Sequence, residues 1–190
     1  MKSTGWSAFV CALALTGCSA PATVQPTGDR VASASAASED YKLGVGDKVR
    51  INVFHEDTLS GDFTIGSSGN LSLPLIGTVP ALGKTLPEVS ADIGQRLAGG
   101  YVRDPKVSME VVTYRPFYIL GEVKSPGNYP FVNGLTAMNA IATAQGFTPR
   151  ANQHMVYIRR DGASEEVPYK LTPDLRVLPG DTLRLGERYF

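Results

Sequence analysis

The strongest constraint on the fold is a period-two alternation of polar and apolar residues that recurs in short stretches of the chain. It is clearest in residues 48–54 (KVRINVF) and 106–112 (KVSMEVV). Such alternation is typical of a strand with one buried face and one solvated face. Further short strands are predicted, separated by Gly, Pro, Ser and Asp, at residues 62–66, 70–73, 154–159, 165–170 and 178–185, with an irregular β segment at 74–79.

Two helices are predicted between these strands. Residues 85–88 (TLPE) form a capping box, with Thr85 at the N-cap and Glu88 at the third helical position. This helix is expected to end at residues 99–100 (GG). Its expected apolar face consists of Leu86, Val89, Ile93 and Leu97.

The second helix is predicted over about residues 136–145, with Gly146 just beyond its end. Met138, Ile141 and Ala142 are expected to face inward. After it, residues 154–159 and 165–170 predict a hairpin around Asp161 and Gly162.

The order of these elements predicts an α+β fold of two domains, residues 39–113 and 114–190. One internal similarity bears on how they are arranged. Residues 43–51 (LGVGDKVRI) and 177–185 (VLPGDTLRL) each combine a turn, a Gly-Asp pair (Gly46-Asp47 and Gly180-Asp181) and an alternating strand. Our hypothesis from this similarity is that strand 48–54 packs in the second domain, so that residues 62–112 form an insertion.

The N-terminal residues 1–17 predict a secretory signal peptide. Lys2 precedes an uncharged, mostly apolar run over residues 6–15, which is shorter than the roughly 20 residues of a membrane-spanning helix. Residues 15–18 (LTGC) have the pattern at which lipoprotein signal peptidase cleaves before a lipid-modified cysteine. Cys18 is therefore the predicted lipidation site, and Ser19 after it favours the outer membrane. The chain would face the periplasm.

Composition supports an extracytoplasmic protein without thiol chemistry. Cys11 would leave with the signal peptide and Cys18 would carry lipid, so no thiol would remain for a disulfide or a metal. Residues 18–38 are rich in Ala and Ser with almost no large apolar side chain, which predicts an extended tether.

The charge of the chain argues against a nucleic-acid partner. The 18 basic residues equal the 18 acidic ones, and residues 1–17 contain one Lys and no acid, so the processed chain has a formal charge of −1.

No motif in the sequence predicts an enzyme, a cofactor or a metal. Gly44 and Gly46 lack the third glycine and the following helix of a dinucleotide site. Residues 55–57 (HED) are three adjacent polar residues, which rarely converge on one ion, so a solvated loop is favoured. A serine nucleophile motif is absent. A pair of carboxylates could still meet in space, and an enzyme therefore stays a minor alternative.

Five aromatic residues surround the turn at residues 121–127. A platform on which sugars stack is conceivable, although packing in the core is the more frequent role of such residues. They are Tyr114, Phe117, Tyr118, Tyr129 and Phe131.

Three groups of segments, in this order, resemble the outer-membrane polysaccharide export lipoproteins of bacteria. The first two resemble the polysaccharide export domain, and the third resembles a soluble-ligand-binding β-grasp (SLBB) domain. The segments are residues 41–47; residues 69–77, 83–88 and 101–107; and residues 119–129 and 137–146.

The resemblance implies a homo-oligomeric ring in the periplasm, anchored at the outer membrane by lipid. Such a ring lines a conduit for capsular polysaccharide or exopolysaccharide and docks on an inner-membrane polysaccharide co-polymerase. No catalytic residue is implied. The motif residues implied by the resemblance serve turns and cores, with Gly77, Gly121 and Gly127 giving backbone freedom and Pro126 fixing a turn.

Longer relatives add a C-terminal amphipathic helix that crosses the outer membrane, and no such stretch follows Asp181. We therefore expect a separate outer-membrane barrel as a partner, or a role as a periplasmic collar. A different class of function stays open as well. The chain could be a periplasmic glycan-binding or ligand-binding lipoprotein that acts as a monomer.

Overall fold

A computed structural model of the chain describes residues 41–188. The predicted signal peptide, Cys18 and the tether lie outside the described residues. Within residues 41–188 the fold is α+β, as predicted, with two α-helices and ten strands in separate sheets. The strands are β1 (Lys48–Val53), β2 (Gly61–Thr64), β3 (Asn70–Leu73), β4 (Gly77–Pro80), β5 (Val107–Thr113), β6 (Phe117–Gly121), β7 (Gly127–Tyr129), β8 (Met155–Arg159), β9 (Val167–Lys170) and β10 (Thr182–Leu185).

The first unit contains a three-stranded sheet in the order β2-β1-β5, with both pairings antiparallel. The alternation that predicted β1 is also its burial pattern, since Val49, Ile51 and Val53 are buried and the residues between them are not. Helix α1 (Leu86–Ala98) packs against this sheet through contacts with β5.

The hypothesis that strand 48–54 packs in the second domain is wrong. β1 is the central strand of the first sheet, and its buried side chains belong to the first hydrophobic core. Residues 62–112 are therefore not an insertion into another sheet. Period-two alternation specifies that a strand has one buried face, but it does not specify which strands lie beside it.

Helix α1 begins as its capping box predicts. The backbone N–H of Thr85 donates to the Glu88 carboxylate at 2.7 Å, and the Glu88 N–H donates to the Thr85 hydroxyl at 3.4 Å. Gly99 is the C-cap residue. Val89, Ile93 and Leu97 are buried, whereas Leu86 is partly buried at the edge of the core.

The segment predicted to be irregular at residues 74–79 belongs to a hairpin. β3 pairs with β4 in antiparallel register; Leu75 in the connection and Gly77 at the start of β4 both have positive φ. The turn at residues 67–69 joins β2 to β3, yet these two strands lie in different sheets. The turn residues were visible in the sequence, but the partner of each strand was not.

The second unit is a five-stranded sheet in the order β7-β6-β10-β8-β9. β6 and β10 are parallel neighbours, and the other pairings are antiparallel. The predicted hairpin of β8 and β9 around Asp161 and Gly162 is confirmed. Helix α2 (Ala137–Thr143) contributes to the hydrophobic core of this unit.

Helix α2 is shorter than predicted, and of the three residues predicted to face inward only Ile141 does so. Ala137, Ala140 and Ile141 are buried, whereas Met138 and Ala142 are exposed. The prediction gave weight to the larger apolar side chain at 138, but the residues of α2 in the second core are Ile141 and the two small residues Ala137 and Ala140. The buried residues of the second unit form a core separate from that of the first.

Gly121 is the last residue of β6. Both its backbone conformation and the lack of room for a Cβ require glycine there. Its φ is +87°, and a Cβ there would lie 2.1 Å from the carbonyl oxygen of Leu185 in the neighbouring strand. That oxygen accepts a hydrogen bond from the N–H of Glu122 at 3.0 Å. Gly77 also has positive φ (+68°), but a Cβ at that position would meet nothing within 4 Å beyond its chain neighbours.

We expect Gly121→Ala to destabilise the protein more than Gly77→Ala. The left-handed backbone costs an alanine about 1–2 kcal/mol at either position. At Gly121 the clash with β10 adds about 1–3 kcal/mol. Urea denaturation of the two variants measures the difference, and equal losses of unfolding free energy would contradict this account of Gly121.

Candidate functional site

Residues 114–116 (YRP) join β5 to β6 and form the junction between the two units. Two Gly-Asp turns meet at this junction. In the first, the Asp47 carboxylate accepts a hydrogen bond from the N–H of Gly44 at 2.8 Å, and the Asp47 N–H donates to the Gly44 carbonyl at 3.2 Å. Gly46 between them has φ +90°.

The second Gly-Asp turn repeats these bonds in the other unit. The Asp181 carboxylate accepts from the N–H of Leu178 at 2.7 Å, and the Asp181 N–H donates to the Leu178 carbonyl at 3.2 Å. Gly180 has φ +81°. The similarity between the two sequence segments is therefore a similarity of turn structure, although the strands that follow lie in different sheets.

The Asp47 carboxylate is completely buried and has a partner for each oxygen. Its Oδ1 accepts from the backbone N–H of Arg115 at 2.8 Å. Its Oδ2 accepts from the Arg115 guanidinium at 3.0 Å and from the Tyr41 hydroxyl at 2.5 Å, besides the Gly44 N–H. Such full hydrogen bonding is what makes a buried charge tolerable.

Arg115 extends this network into the second unit. Its Nε lies 3.0 Å from Oδ2 of Asp161, which belongs to the turn between β8 and β9. The guanidinium fits between two glycines: a Cβ at Gly44 would lie 2.1 Å from Nη1, and one at Gly180 would lie 2.7 Å from Nε. One arginine thus contacts both Gly-Asp turns.

Backbone and aromatic contacts reinforce the junction. The Gly180 N–H donates to the Pro116 carbonyl at 3.1 Å, and the Tyr118 N–H donates to the Asp181 carbonyl at 2.8 Å. The ring of Tyr114 lies edge-on to Tyr41 at 5.1 Å and to Phe131 at 5.4 Å. Tyr41 packs on the first core and Phe131 on the second, so the aromatic contacts connect the two cores.

The two buried aspartates differ in how many of their carboxylate oxygens have a hydrogen-bond partner. The Arg160 guanidinium forms an ion pair with Oδ2 of Asp181, but Oδ1 is buried without a hydrogen-bond partner. Burial raises the pKa of the Asp181 carboxyl to about 6, against the opposing effect of Arg160. Burial and the hydrogen bond to Asp47 raise the pKa of the Tyr41 hydroxyl, which therefore stays a donor.

A groove of about 540 Å³ opens at the junction. Lys42, Arg115 and Asp161 give it charges of both signs, and Leu82 and Tyr118 give it exposed apolar surface. A groove of mixed character between two units is suited to binding a ligand, whereas it presents no nucleophile beside a base.

Not all residues predicted to form the turn at 121–127 have the turn conformation. Pro126 precedes β7, and the loop before it is closed by the Tyr129 hydroxyl, which donates to the Ser125 carbonyl at 2.7 Å. The expectation that Gly127 gives backbone freedom is wrong, because Gly127 is a residue of β7 without positive φ.

The aromatic residues around that turn mostly serve the core. Phe117 is buried, and Tyr129 and Phe131 pack against the second core. Tyr118 differs, because 46% of its surface is exposed. The sequence alone could not distinguish Tyr118 from the others.

Within residues 41–188, no group of three or more His, Cys, Asp or Glu side chains is placed to hold a metal ion. His55 stacks on Phe54 instead, with 3.8 Å between the ring centres. A second groove, of about 980 Å³, lies between α1 and β5, and its lining contains no carboxylate or histidine. Neither helix in the described part of the chain has the length and hydropathy to cross a bilayer.

Arg115 and Arg160 are the residues of this site that the sequence did not indicate. Both Gly-Asp pairs were recognisable as turns, but each partner arginine is distant along the chain from its aspartate. No local pattern marks such a contact, since it depends on how the strands assemble.

The protein therefore has an α+β fold of two packed units with a groove between them. Residues 35–112 match the family model for the polysaccharide biosynthesis/export protein, and residues 116–168 match the model for the SLBB domain. The two matches fall on either side of the junction.

Two curated proteins are similar to the chain. The exopolysaccharide production protein ExoF of Rhizobium meliloti (strain 1021) is 40% identical over 146 residues, which are 68% of this chain and 34% of that protein. The polysialic acid transport protein KpsD of Escherichia coli is 24% identical over 125 residues, which are 65% of this chain and 22% of that protein. The matched regions are thus about a third and a fifth of these relatives.

The chain belongs to the polysaccharide export family and carries an SLBB domain. The resemblance drawn from its motifs is confirmed.

We expect Asp47→Ala to destabilise the protein by about 3–5 kcal/mol, because it leaves the Arg115 guanidinium buried without its main partner. Glu110→Ala is the matched control. Glu110 is an exposed strand residue 3.7 Å from Arg50, and loss of this pair should cost less than about 1 kcal/mol. Chemical denaturation of both variants measures the costs. A loss at Asp47 as small as that at Glu110 would contradict the central role of the junction.

The raised pKa of Asp181 predicts a pH dependence of stability. The folded state holds this proton more tightly than the unfolded state, so the contribution of Asp181 to unfolding free energy falls as pH rises from about 4 to about 6. Asp181→Asn removes this fall. Between pH 3.5 and pH 7 the unfolding free energy of the variant should therefore rise by roughly 2–3 kcal/mol relative to that of wild type. Denaturation at each pH measures both. Parallel pH profiles would be the contrary result.

Proposed function

We propose that this protein is the outer-membrane-anchored periplasmic component of an export channel for capsular polysaccharide or exopolysaccharide. The observation that carries the proposal is the ordered pair of domain matches, export domain then SLBB domain, on a chain whose N-terminus has a lipoprotein cleavage pattern at Cys18. The names of the relatives, an exopolysaccharide production protein and a polysialic acid transport protein, agree with it.

The domains proposed here are an export domain over residues 39–113 and an SLBB domain over residues 114–190. The role proposed for both is to bind and to guide polymer, not to break or form covalent bonds. The proposed partners are further copies of the chain in a ring, an inner-membrane polysaccharide co-polymerase and the polymer itself.

The junction supports this role physically. A subunit that lines a conduit must keep its shape while polymer passes, and an angle between two domains is fixed best by buried, fully hydrogen-bonded contacts. The Asp47–Arg115 pair contributes such contacts, since both Asp47 oxygens are hydrogen-bonded, although Arg115 Nε has only its ion pair with Asp161. The Tyr41–Tyr114–Phe131 aromatic contacts connect the two cores.

A deletion strain complemented by plasmid variants tests the proposal. Deletion should leave polymer inside the cell, and the wild-type gene should restore polymer at the surface. Cys18→Ser should give a folded protein that is released from the membrane and restores export poorly. Surface polymer is measured by immunolabelling and the protein by cell fractionation. Normal surface polymer in the deletion strain would overturn the export role, and full export by Cys18→Ser would overturn the anchor.

The alternative is a monomeric periplasmic protein that binds glycans or other ligands. The groove at the junction is the observation that favours it, since a ligand could bind there without a ring. Crosslinking in cells separates the two functions. Ladders of several copies support the channel, and a strict monomer supports the binding protein.

A further inference from the structure

The five-stranded sheet has one face packed on α2 and the second core. On the opposite face Tyr118, Leu120 and Arg159 are exposed, Tyr157 and Arg184 are half-buried, and Thr182 is buried. The pairing register places the open-face residues in two adjacent rows. Tyr118, Thr182 and Arg159 are direct neighbours in one row, and Leu120, Arg184 and Tyr157 are direct neighbours in the other. We call these six residues the open-face ladder.

The open-face ladder exposes aromatic and apolar surface that the core does not use. Tyr118 is 46% exposed and Leu120 is 38% exposed. The Arg184 guanidinium lies over the ring of Tyr157, with 4.2 Å between its central carbon and the ring centre. This stacking favours one arrangement of the Tyr157 and Arg184 side chains.

This face carries positive charges that have no ion-pair partner among the described residues. Arg159 donates to the Thr182 hydroxyl at 3.2 Å, and it has no ion-pair partner among the side chains of residues 41–188. Arg184 pairs with Glu166 at 2.7 Å. Lys170, opposite Met155 on the same face, adds a further positive charge. Arg159 and Lys170 therefore lack an ion-pair partner within residues 41–188. The carboxylates of Glu122 and Glu187, which line the adjoining hollow, already bind Thr148 and Arg150.

The ladder also continues into concave surface at both ends. Tyr118 lines the groove at the junction, and Tyr157 and Arg184 line a hollow of about 430 Å³ at the other end. The two tyrosines lie on strands two positions apart in the sheet, so roughly 10 Å separates them across the strands. A surface that continues into concave surface at both ends suits a chain molecule better than one small ligand.

We propose that the open-face ladder is a binding surface for acidic polysaccharide, a polymer with carboxylated sugars. This inference rests on the proposed export function and names the polymer class and the residues that hold it. The tyrosine rings supply flat apolar surface for the C–H faces of sugar rings. Arg159 supplies a planar, two-pronged donor for a carboxylate, which a neutral polymer does not offer.

The test measures binding of the full-length protein, purified in detergent, to fluorescently labelled polygalacturonate by fluorescence anisotropy. Labelled dextran of matched length is the neutral probe. Wild type should bind polygalacturonate in a salt-dependent manner and bind dextran at least tenfold more weakly. Equal binding of both probes, or binding of neither, overturns the proposal.

The Tyr118→Ala/Arg159→Gln double variant should bind polygalacturonate roughly tenfold or more weakly, because it loses a charge-assisted hydrogen bond and a stacking surface. Tyr101→Ala/Arg103→Gln is the matched control on the export domain, where Tyr101 is 56% exposed, and it should bind as wild type does. The Tyr118→Phe variant keeps the ring and should retain binding. Circular dichroism melting curves show that each variant is folded.

Two outcomes separate this inference from the function on which it rests. If the deletion strain lacks surface polymer but the double variant binds polygalacturonate as wild type does, the ladder proposal fails and the export function stands. If the double variant changes the sedimentation of the protein and leaves polymer binding unchanged, the open face is a contact between copies, which also overturns the proposal.

Discussion

The structure depends on one buried carboxylate. Asp47 closes its own turn through the Gly44 N–H, and it binds Arg115 by backbone and side chain and Tyr41 by its hydroxyl. A charge in this position would be very costly without these partners, so the turn, the junction and the start of the first unit stabilise one another. Arg115 extends the same network to Asp161, a partly exposed residue of the second unit, so one arginine connects the buried carboxylate to both units.

The second Gly-Asp turn shows how far a local motif determines structure. Asp181 repeats the turn bonds of Asp47 and gains its own arginine, yet one of its oxygens stays without a partner. A four-residue turn is specified by nearby atoms, so it can occur in different sheets. What surrounds the carboxylate is specified by the whole fold, and this is why the same turn holds one well-satisfied aspartate and one with a raised pKa.

Features that depend on neighbouring residues could be predicted from the sequence, and features that depend on the whole fold could not. The capping box of Thr85 and Glu88 and the alternation in β1 depend on neighbouring residues, and the structure has both. The sheet to which β1 belongs depends on strands far along the chain, and the sequence hypothesis placed it wrongly. Ile141 of α2 faces inward as predicted, but Ala137 and Ala140 are buried in place of Met138 and Ala142, because the face that meets the core is set by the assembled fold. Arg115 and Arg160 could not be foreseen, since their partners meet them only after folding.

The fixed angle at the junction has a consequence for assembly number. In the ring proposed for this protein, each copy is related to the next by one rotation, and the ring closes only if that rotation divides a full turn. A subunit with freely hinged halves could satisfy several such rotations and give rings of different size. The guanidinium seated between Gly44 and Gly180 removes that freedom, so the width of the conduit would be decided inside each subunit before any two copies meet.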